Sequence, residues 1–394
     1  MFSISNNELY SGKSSPLFNK EIASKVRNLH RKIEGYEPTP LVSLEYLAKK
    51  LGLKNILVKD ESKRFGLNAF KVLGGSYALA KLLAEKLNID MNHFDLKNIK
   101  TLLKEPVVFA TATAGNHGTG VAWAAREMGQ KAVVFMPKGS AKASVERIRA
   151  LGADCIVTDV NYDDTVRLAN QTAQEKGWLL VQDTAWNGYE TIPTWISQGY
   201  MTMADEAVEQ LVNDFKDLVP THIMLQAGVG AMAGGVLGYL VDALGVQNFK
   251  AIVSEPVTAD CVYQSAQDKS GQLIAVDGDL NSIMAGLACG EVNPITWPIL
   301  KDCTFAFAKV EDSIAATGMR ILGNPLDGDK PITSGPSGAI NLGLLYALSN
   351  SPDQACLKES LGLNEESVVL IFSTEGDTNT DLYRKVVWEG CYPY

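Results

Sequence analysis

Four short stretches carry the residues best suited to chemistry, and each lies where the chain turns from one element into the next. The first spans residues 68–76, Asn-Ala-Phe-Lys-Val-Leu-Gly-Gly-Ser. Its Lys71 follows Phe70 and precedes two glycines and an apolar helical repeat, Leu79, Leu82, Leu83 and Leu87. An amine at the mouth of a helix can form a Schiff base with a carbonyl. Taken alone, Lys71 reads first as a solvated surface lysine, and the other three stretches decide the matter.

The second stretch is Ala112-Thr113-Ala114-Gly115-Asn116-His117-Gly118, after a strand pattern that ends at Ala110. Gly115 and Gly118 let backbone approach a ligand. Thr113 and the loop amides can bind a carboxylate at the start of the following helix, and Asn116 can donate to a phenolic oxygen. The third is Gly228-Val229-Gly230-Ala231-Met232-Ala233-Gly234-Gly235, which follows a strand and opens a helix. Gly228 and Gly230 meet the first two glycines of a dinucleotide fingerprint, but its third falls on Ala233, and the fingerprint belongs to the first strand of its unit with an acid about twenty residues on. Glu255 lies 27 residues past Gly228. That reading stays open behind a monophosphate site, which loop amides and a helix dipole favour. The fourth is Ser373-Thr374-Glu375-Gly376-Asp377-Thr378, directly after the last strand pattern. Its serine hydroxyl can bond a ring nitrogen without carrying charge. Together these stretches supply a lysine for a carbonyl, a phosphate cradle and partners for a ring oxygen and a ring nitrogen, the functional groups of pyridoxal 5'-phosphate.

The elements that must position them alternate. Helical spacing covers residues 22–33 and ends at Gly35; Ser43 is placed to cap a helix through Leu51; residues 55–59 read as a strand. Strands are expected at 106–110, 131–136, 154–158, 178–182, 222–226, 250–254, 305–309 and 367–372, with helices between them, including one long helix over 192–211. Such alternation with continuous apolar strands predicts an α/β fold of parallel open sheets with helices on both faces, and ligands at the loops after strand ends. A chain of 394 residues suggests two domains. The formal net charge of −9 disfavours nucleic-acid or anionic membrane surfaces. No apolar run reaches membrane-helix length and residues 1–19 lack the pattern of a secretory signal, so a cytoplasmic protein is expected. The six cysteines form no C-x-x-C pair, so no metal site is expected. Cys261 and Cys289 lie in or beside connecting segments, and free thiols are the expected state ahead of a disulfide between them.

The order of lysine loop, asparagine loop, glycine loop and terminal serine loop resembles the tryptophan-synthase β-type (fold type II) pyridoxal-phosphate enzymes. Within them, nearly the whole chain resembles the diaminopropionate ammonia-lyase family. The stretches that carry this are 36–41 (Tyr-Glu-Pro-Thr-Pro-Leu), 59–71 (Lys-Asp-Glu-Ser-Lys-Arg-Phe-Gly-Leu-Asn-Ala-Phe-Lys), 181–186 (Val-Gln-Asp-Thr-Ala-Trp), 226–235, 284–290 (Met-Ala-Gly-Leu-Ala-Cys-Gly) and 373–377. The resemblance implies two domains, with 1–84 and 206–394 forming a large cofactor-binding domain, 85–205 forming a small domain with the asparagine loop, and the active site between them. It implies that Lys71 holds the cofactor and then serves as base at Cα. Phe70, Asn116, Gly228, Val229, Gly230, Ala231, Met232 and Ser373 would bind the cofactor, and Thr113, Ala114 and Asp183 the substrate. The implied reaction is elimination of 2,3-diaminopropionate to pyruvate and two ammonia, in a homodimer. One position departs from the family. An acid there precedes the Gly-Asn of the asparagine loop and serves as a second base for the D-isomer; here it is Ala114. A methyl group cannot accept a proton, so an L-selective enzyme is expected. The alternatives are a serine or threonine dehydratase, whose loop the Ala114 loop resembles, and a cofactor-binding homologue without turnover.

Overall fold

The computed structural model describes residues 1–113, 115–216, 218–350 and 354–394. Its strands are β1 (Phe2–Asn6), β2 (Leu41–Ser43), β3 (Asn55–Asp60), β4 (Val108–Ala112), β5 (Lys131–Met136), β6 (Asp154–Val157), β7 (Leu179–Leu180), β8 (His222–Gln226), β9 (Lys250–Pro256), β10 (Ala306–Val310) and β11 (Val368–Ser373). They form two sheets. The larger runs β1-β10-β9-β8-β11-β3-β2 and the smaller β6-β5-β4-β7. All pairs of the smaller sheet are parallel, as are the five inner strands of the larger. The two outer strands, β1 and β2, are antiparallel. The chain leaves the larger sheet after β3, builds the smaller one, and returns at β8.

The inner strands read as continuous apolar runs because helices cover both faces. β8 and β11 are buried at every residue, as is β3 despite its Lys59. Lys59 is fully buried, and its Nζ reaches Glu206 Oε2 at 2.8 Å and the Thr39 carbonyl at 2.7 Å. Arg64 is equally buried and joins Glu61 and Glu206, each at 2.8 Å. A buried ion needs such partners because desolvation costs several kcal/mol, on the order of the attraction gained. The network ties the 36–64 segment, which leads to Lys71, to helix Met201–Asp214.

Close approach of helices fixes the start of helix Val72–Leu87. A Cβ on Gly120 would stand 2.8 Å from the Val72 nitrogen, and one on Gly199 2.5 Å from the Leu73 carbonyl oxygen. The lysine helix is therefore gripped between helices Asn116–Glu127 and Thr191–Gly199.

Three expectations need correction. The helix over 192–211 is two helices, Thr191–Gly199 and Met201–Asp214, meeting at Tyr200. Ser43 does not cap a helix: it ends β2 and its hydroxyl donates to Asn55 Oδ1 at 2.9 Å. The amides of Tyr46 and Leu47 donate instead to the Asp329 carboxylate at 3.1 and 2.9 Å, a cap brought from far along the chain. The parallel pattern also fails at both edges of the larger sheet. All six cysteines are free thiols, as expected, Cys261 and Cys289 among them. No helix among the described residues is long and apolar enough to cross a membrane.

Candidate active site

The arm that carries Lys71 turns twice through left-handed backbone, at Phe65 (φ 49°) and Asn68 (φ 62°). It is stitched to the loop after β11. The Phe70 amide donates to the Thr374 carbonyl at 3.1 Å, the Gly376 amide to the Asn68 carbonyl at 2.9 Å, and Asn68 Nδ2 to Asp377 Oδ1 at 2.8 Å. Lys71 thus stands at the start of its helix as expected, beside the terminal serine loop. Its Nζ lies 5.6 Å from the Phe70 ring centre and 5.7 Å from that of Tyr200.

Lys71 Nζ donates to Asp183 Oδ2 at 2.6 Å, a contact across 112 residues of sequence. Burial pulls the Lys71 ammonium down, but the Asp183 carboxylate outweighs it and the net direction is up. Burial raises the Asp183 carboxyl, while the Lys71 ammonium that donates to it outweighs burial and holds it down, to about 2. His117 Nε2 sits 2.8 Å from the Val181 carbonyl, which only accepts, so Nε2 carries the hydrogen. Nδ1 then faces Asp183 Oδ2 at 3.8 Å with its lone pair. Burial pushes His117 down and keeps it neutral, which leaves Lys71 as the effective cation beside Asp183.

Asn116 opens helix Asn116–Glu127. Its Nδ2 donates to Glu375 Oε2 at 2.7 Å, and its Oδ1 accepts from Arg147 Nη2 at 3.4 Å. Thr113 is buried; its Oγ1 accepts from the Gly115 amide at 3.0 Å. The position between them, Ala114, lies outside the described residues.

The glycine loop joins β8 to helix Ala231–Leu244. Gly230 has φ 89°, and a Cβ there would meet Leu300 Cδ1 at 2.8 Å. A Cβ on Gly228 would lie 3.1 Å from Cys289 Sγ and 3.2 Å from the Gly286 carbonyl oxygen. The glycines let the loop pack closely against Leu300 and Cys289, and the loop around Val229, Ala231 and Met232 opens a helix, whose N-terminus suits a phosphate. Ser373 is fully buried at the end of β11, and its hydroxyl donates to Ser334 Oγ at 2.8 Å. These residues fit pyridoxal phosphate. Glu255, the acid a dinucleotide would need, is occupied: its carboxylate accepts from the Val262 and Tyr263 amides at 2.9 and 2.6 Å.

The structure therefore brings Lys71, Phe70 and Asp183 into contact. It gathers Asn116, the glycine loop and Ser373 at strand ends around them. Sequence reasoning did not assign roles to His117, Glu375, Arg147 or Tyr200. Glu375 had a signal: a carboxylate two residues past the end of a fully apolar strand. Arg147, within an ordinary amphipathic helix, had none.

The fold and site define a class, and comparison with known proteins agrees. A family model described as pyridoxal-phosphate dependent enzyme matches residues 33–373, and the chain belongs to that family. Within it, the chain is 56% identical over 387 residues to a diaminopropionate ammonia-lyase of Escherichia coli (strain K12), covering 98% of this chain and 96% of that protein. The crystal structure of the E. coli diaminopropionate ammonia lyase in complex with D-serine superposes with TM-score 0.95 at 54% identity, covering 100% of this chain and 98% of that one. The same enzyme in complex with an aminoacrylate-PLP azomethine reaction intermediate gives TM-score 0.93 at 55% identity, with the same coverage.

Proposed function

We propose that this chain is a carbon–nitrogen lyase that eliminates ammonia from 2,3-diaminopropionate, with pyridoxal phosphate as cofactor and pyruvate and two ammonia as products. The observation that carries the reading is the 2.6 Å contact of Lys71 Nζ with Asp183 Oδ2, which sets a lysine ammonium at the mouth of its helix beside an ionised carboxylate. The near relatives, diaminopropionate ammonia-lyases along nearly their whole length, support it over a dehydratase.

In this reading Lys71 holds the cofactor and, when released from it, moves the proton at Cα. Phe70 packs beside the lysine. The amides of Gly228, Val229, Gly230, Ala231 and Met232 hold the phosphate, Asn116 the ring oxygen and Ser373 the ring nitrogen. Thr113 and its loop, with Ala114, take the substrate carboxylate. Asp183 receives the side-chain ammonium. Bound pyridoxal phosphate supplies an electron sink that acidifies Cα–H. An amine departs only with a proton on it, and an ionised carboxylate at the β-nitrogen favours the protonated form. The buried Phe70 and Tyr200 rings keep water from the amine.

We propose in addition that the L-isomer is preferred, because Ala114 cannot serve as a base on the face opposite Lys71. The relative crystallised with D-serine makes the D-isomer the comparison to run. Pyruvate release is measured from L- and D-diaminopropionate and from L-serine. L-diaminopropionate is expected to be used faster than D by about 10²-fold or more, the usual worth of a positioned base. Ala114→Asp is expected to raise D turnover. Equal rates on D and L remove the stereochemical reading, and faster release from L-serine than from either isomer gives the dehydratase. An absorption spectrum that no amino acid alters gives a binding protein without turnover. The domain limits 1–84 with 206–394, and 85–205, belong to the same proposal; the smaller sheet falls inside the second segment. So does a cytoplasmic homodimer, which light scattering of the purified protein tests for its assembly.

A further inference from the structure

Asn116 is the one group of the site whose chemistry depends on which way round it sits. A carboxamide is nearly symmetric in shape, but one end donates twice and the other only accepts. We propose that Glu375 and Arg147 are a positioning pair that fixes the facing of the Asn116 carboxamide, so that its second amide hydrogen is kept for the cofactor's ring oxygen. This rests on the reading of Asn116 as the ring-oxygen partner.

Glu375 Oε2 accepts from Asn116 Nδ2 at 2.7 Å, which uses one of the two hydrogens on that nitrogen. Arg147 Nη2 donates to Asn116 Oδ1 at 3.4 Å, at the other end of the amide. Turning the amide over would set its carbonyl against a carboxylate and its NH2 against a guanidinium. Neither pair can bond while Glu375 is ionised, and each would lose the hydrogen bond it now makes. Both partners are themselves held. Glu375 is buried, with the Ser337 amide at 3.3 Å from Oε1 and Thr378 Oγ1 at 3.4 Å from Oε2. Arg147 donates to the Thr378 carbonyl at 3.0 Å and to Thr119 Oγ1 at 3.3 Å. Burial is the largest influence on the Glu375 carboxyl and raises it, while the Asn116 and Ser337 hydrogen bonds pull the other way. The buried carboxylate and the nearby guanidinium thus bond opposite ends of one amide. The arrangement also joins elements of the two sheets: Glu375 and Thr378 follow β11, while Asn116 and Arg147 belong to helices Asn116–Glu127 and Lys142–Ala150 on the smaller sheet.

The test reads the visible absorbance of the cofactor-loaded protein in the absence of substrate, and the pH midpoint of that band, alongside cofactor affinity. A hydrogen bond to the ring oxygen acts directly on both. Asn116→Ala is expected to move the midpoint by about half a pH unit or more, as loss of a hydrogen bond to a charged oxygen does. Glu375→Met and Arg147→Met are each expected to move it in the same direction. Glu375→Gln, which keeps an acceptor oxygen, is expected to stay near the wild type. Asn116→Ala combined with Glu375→Met is expected to shift no further than Asn116→Ala alone, because both act through one group. A midpoint unchanged in Glu375→Met and Arg147→Met, beside a shifted Asn116→Ala, overturns the positioning role and leaves the reading of Asn116 standing. A midpoint unchanged in Asn116→Ala overturns both. If Glu375→Met does not fold, judged by circular dichroism, Arg147→Met carries the comparison.

Discussion

Replacing Asp183 by Asn removes the charge that holds the Lys71 ammonium while keeping the shape of the side chain. The two groups sit 2.6 Å apart, with the lysine side chain 19% exposed and the aspartate 13%. At an effective dielectric of about 20, opposite charges near contact attract by about 4 kcal/mol. Residual solvent and the new amide oxygen return part of this, which leaves a loss of about 2–3 kcal/mol, or about two pH units in the lysine's titration. The direction is down, because Asp183 favours the charged lysine and burial opposes it. His117 does not compensate, since its Nδ1 presents a lone pair and not a charge. The assay is reattachment of pyridoxal phosphate to the cofactor-free protein, followed by absorbance from pH 6 to 10. Only the neutral amine attacks, and the wild-type midpoint lies above the ordinary lysine range, so throughout pH 6–10 Asp183→Asn is expected to attach the cofactor about 10²-fold faster. An unchanged rate across that range refutes the pairing as the control on Lys71. The same change removes two limbs from the stability profile. Asp183, held down to about 2, stabilises the fold above the ordinary carboxylate range and ceases to do so as pH falls through that value. Lys71, held up, stabilises below the ordinary lysine range and ceases to do so as pH rises through its raised value.

Other outcomes follow from the same geometry. Arg64→Met leaves Glu61 and Glu206 buried without their shared cation and is expected to cost about 3–5 kcal/mol, lowering Tm by roughly 4–6 °C in a thermal scan. Gly230→Ala forces a side chain into left-handed backbone against Leu300, at about 1 kcal/mol or more, and is expected to raise the cofactor Kd by about tenfold in a fluorescence titration. Glu375→Gln removes a carboxyl whose folded value is raised, so the loss of stability the wild type shows as pH rises through that value is expected to flatten in denaturant titrations between pH 4 and 7.

The inner strands were legible because burial on both faces writes itself as apolar runs, as in His222–Gln226 and Lys131–Met136, whose limits match the expectation. The candidate loops stood out because glycines, a lysine and a serine stand where such strands end. The break at Tyr200 was not, since tyrosine is tolerated inside helices and the constraint comes from Leu73, whose carbonyl Gly199 must approach. The cap on helix Glu45–Lys50 comes from Asp329, and no local pattern announces a residue so far away. β2, at three residues, is too short for a period of two to stand out, and β1 offers only Phe2 and Ile4 as apolar positions. The meeting of Lys71 with Asp183, and of Asn116 with Glu375, are tertiary facts: each residue was visible, but not its partner.

The order of strands in the larger sheet has a consequence for how the protein is made. β11 lies between β8 and β3, so the strand inserted at the middle of the sheet is the last of the eleven to leave the ribosome. Until it arrives, β3 and β8 each present an unpaired apolar edge, a ready template for association with other chains. The nascent molecule must also wait for Glu206 before Lys59 and Arg64 find their anions. A product stopped short of residue 368 would hold Lys71 and Asp183 but neither the central strand of the larger sheet nor the loop that ties down the lysine arm. The arm reaches its final place only once β11 and the loop after it have been made.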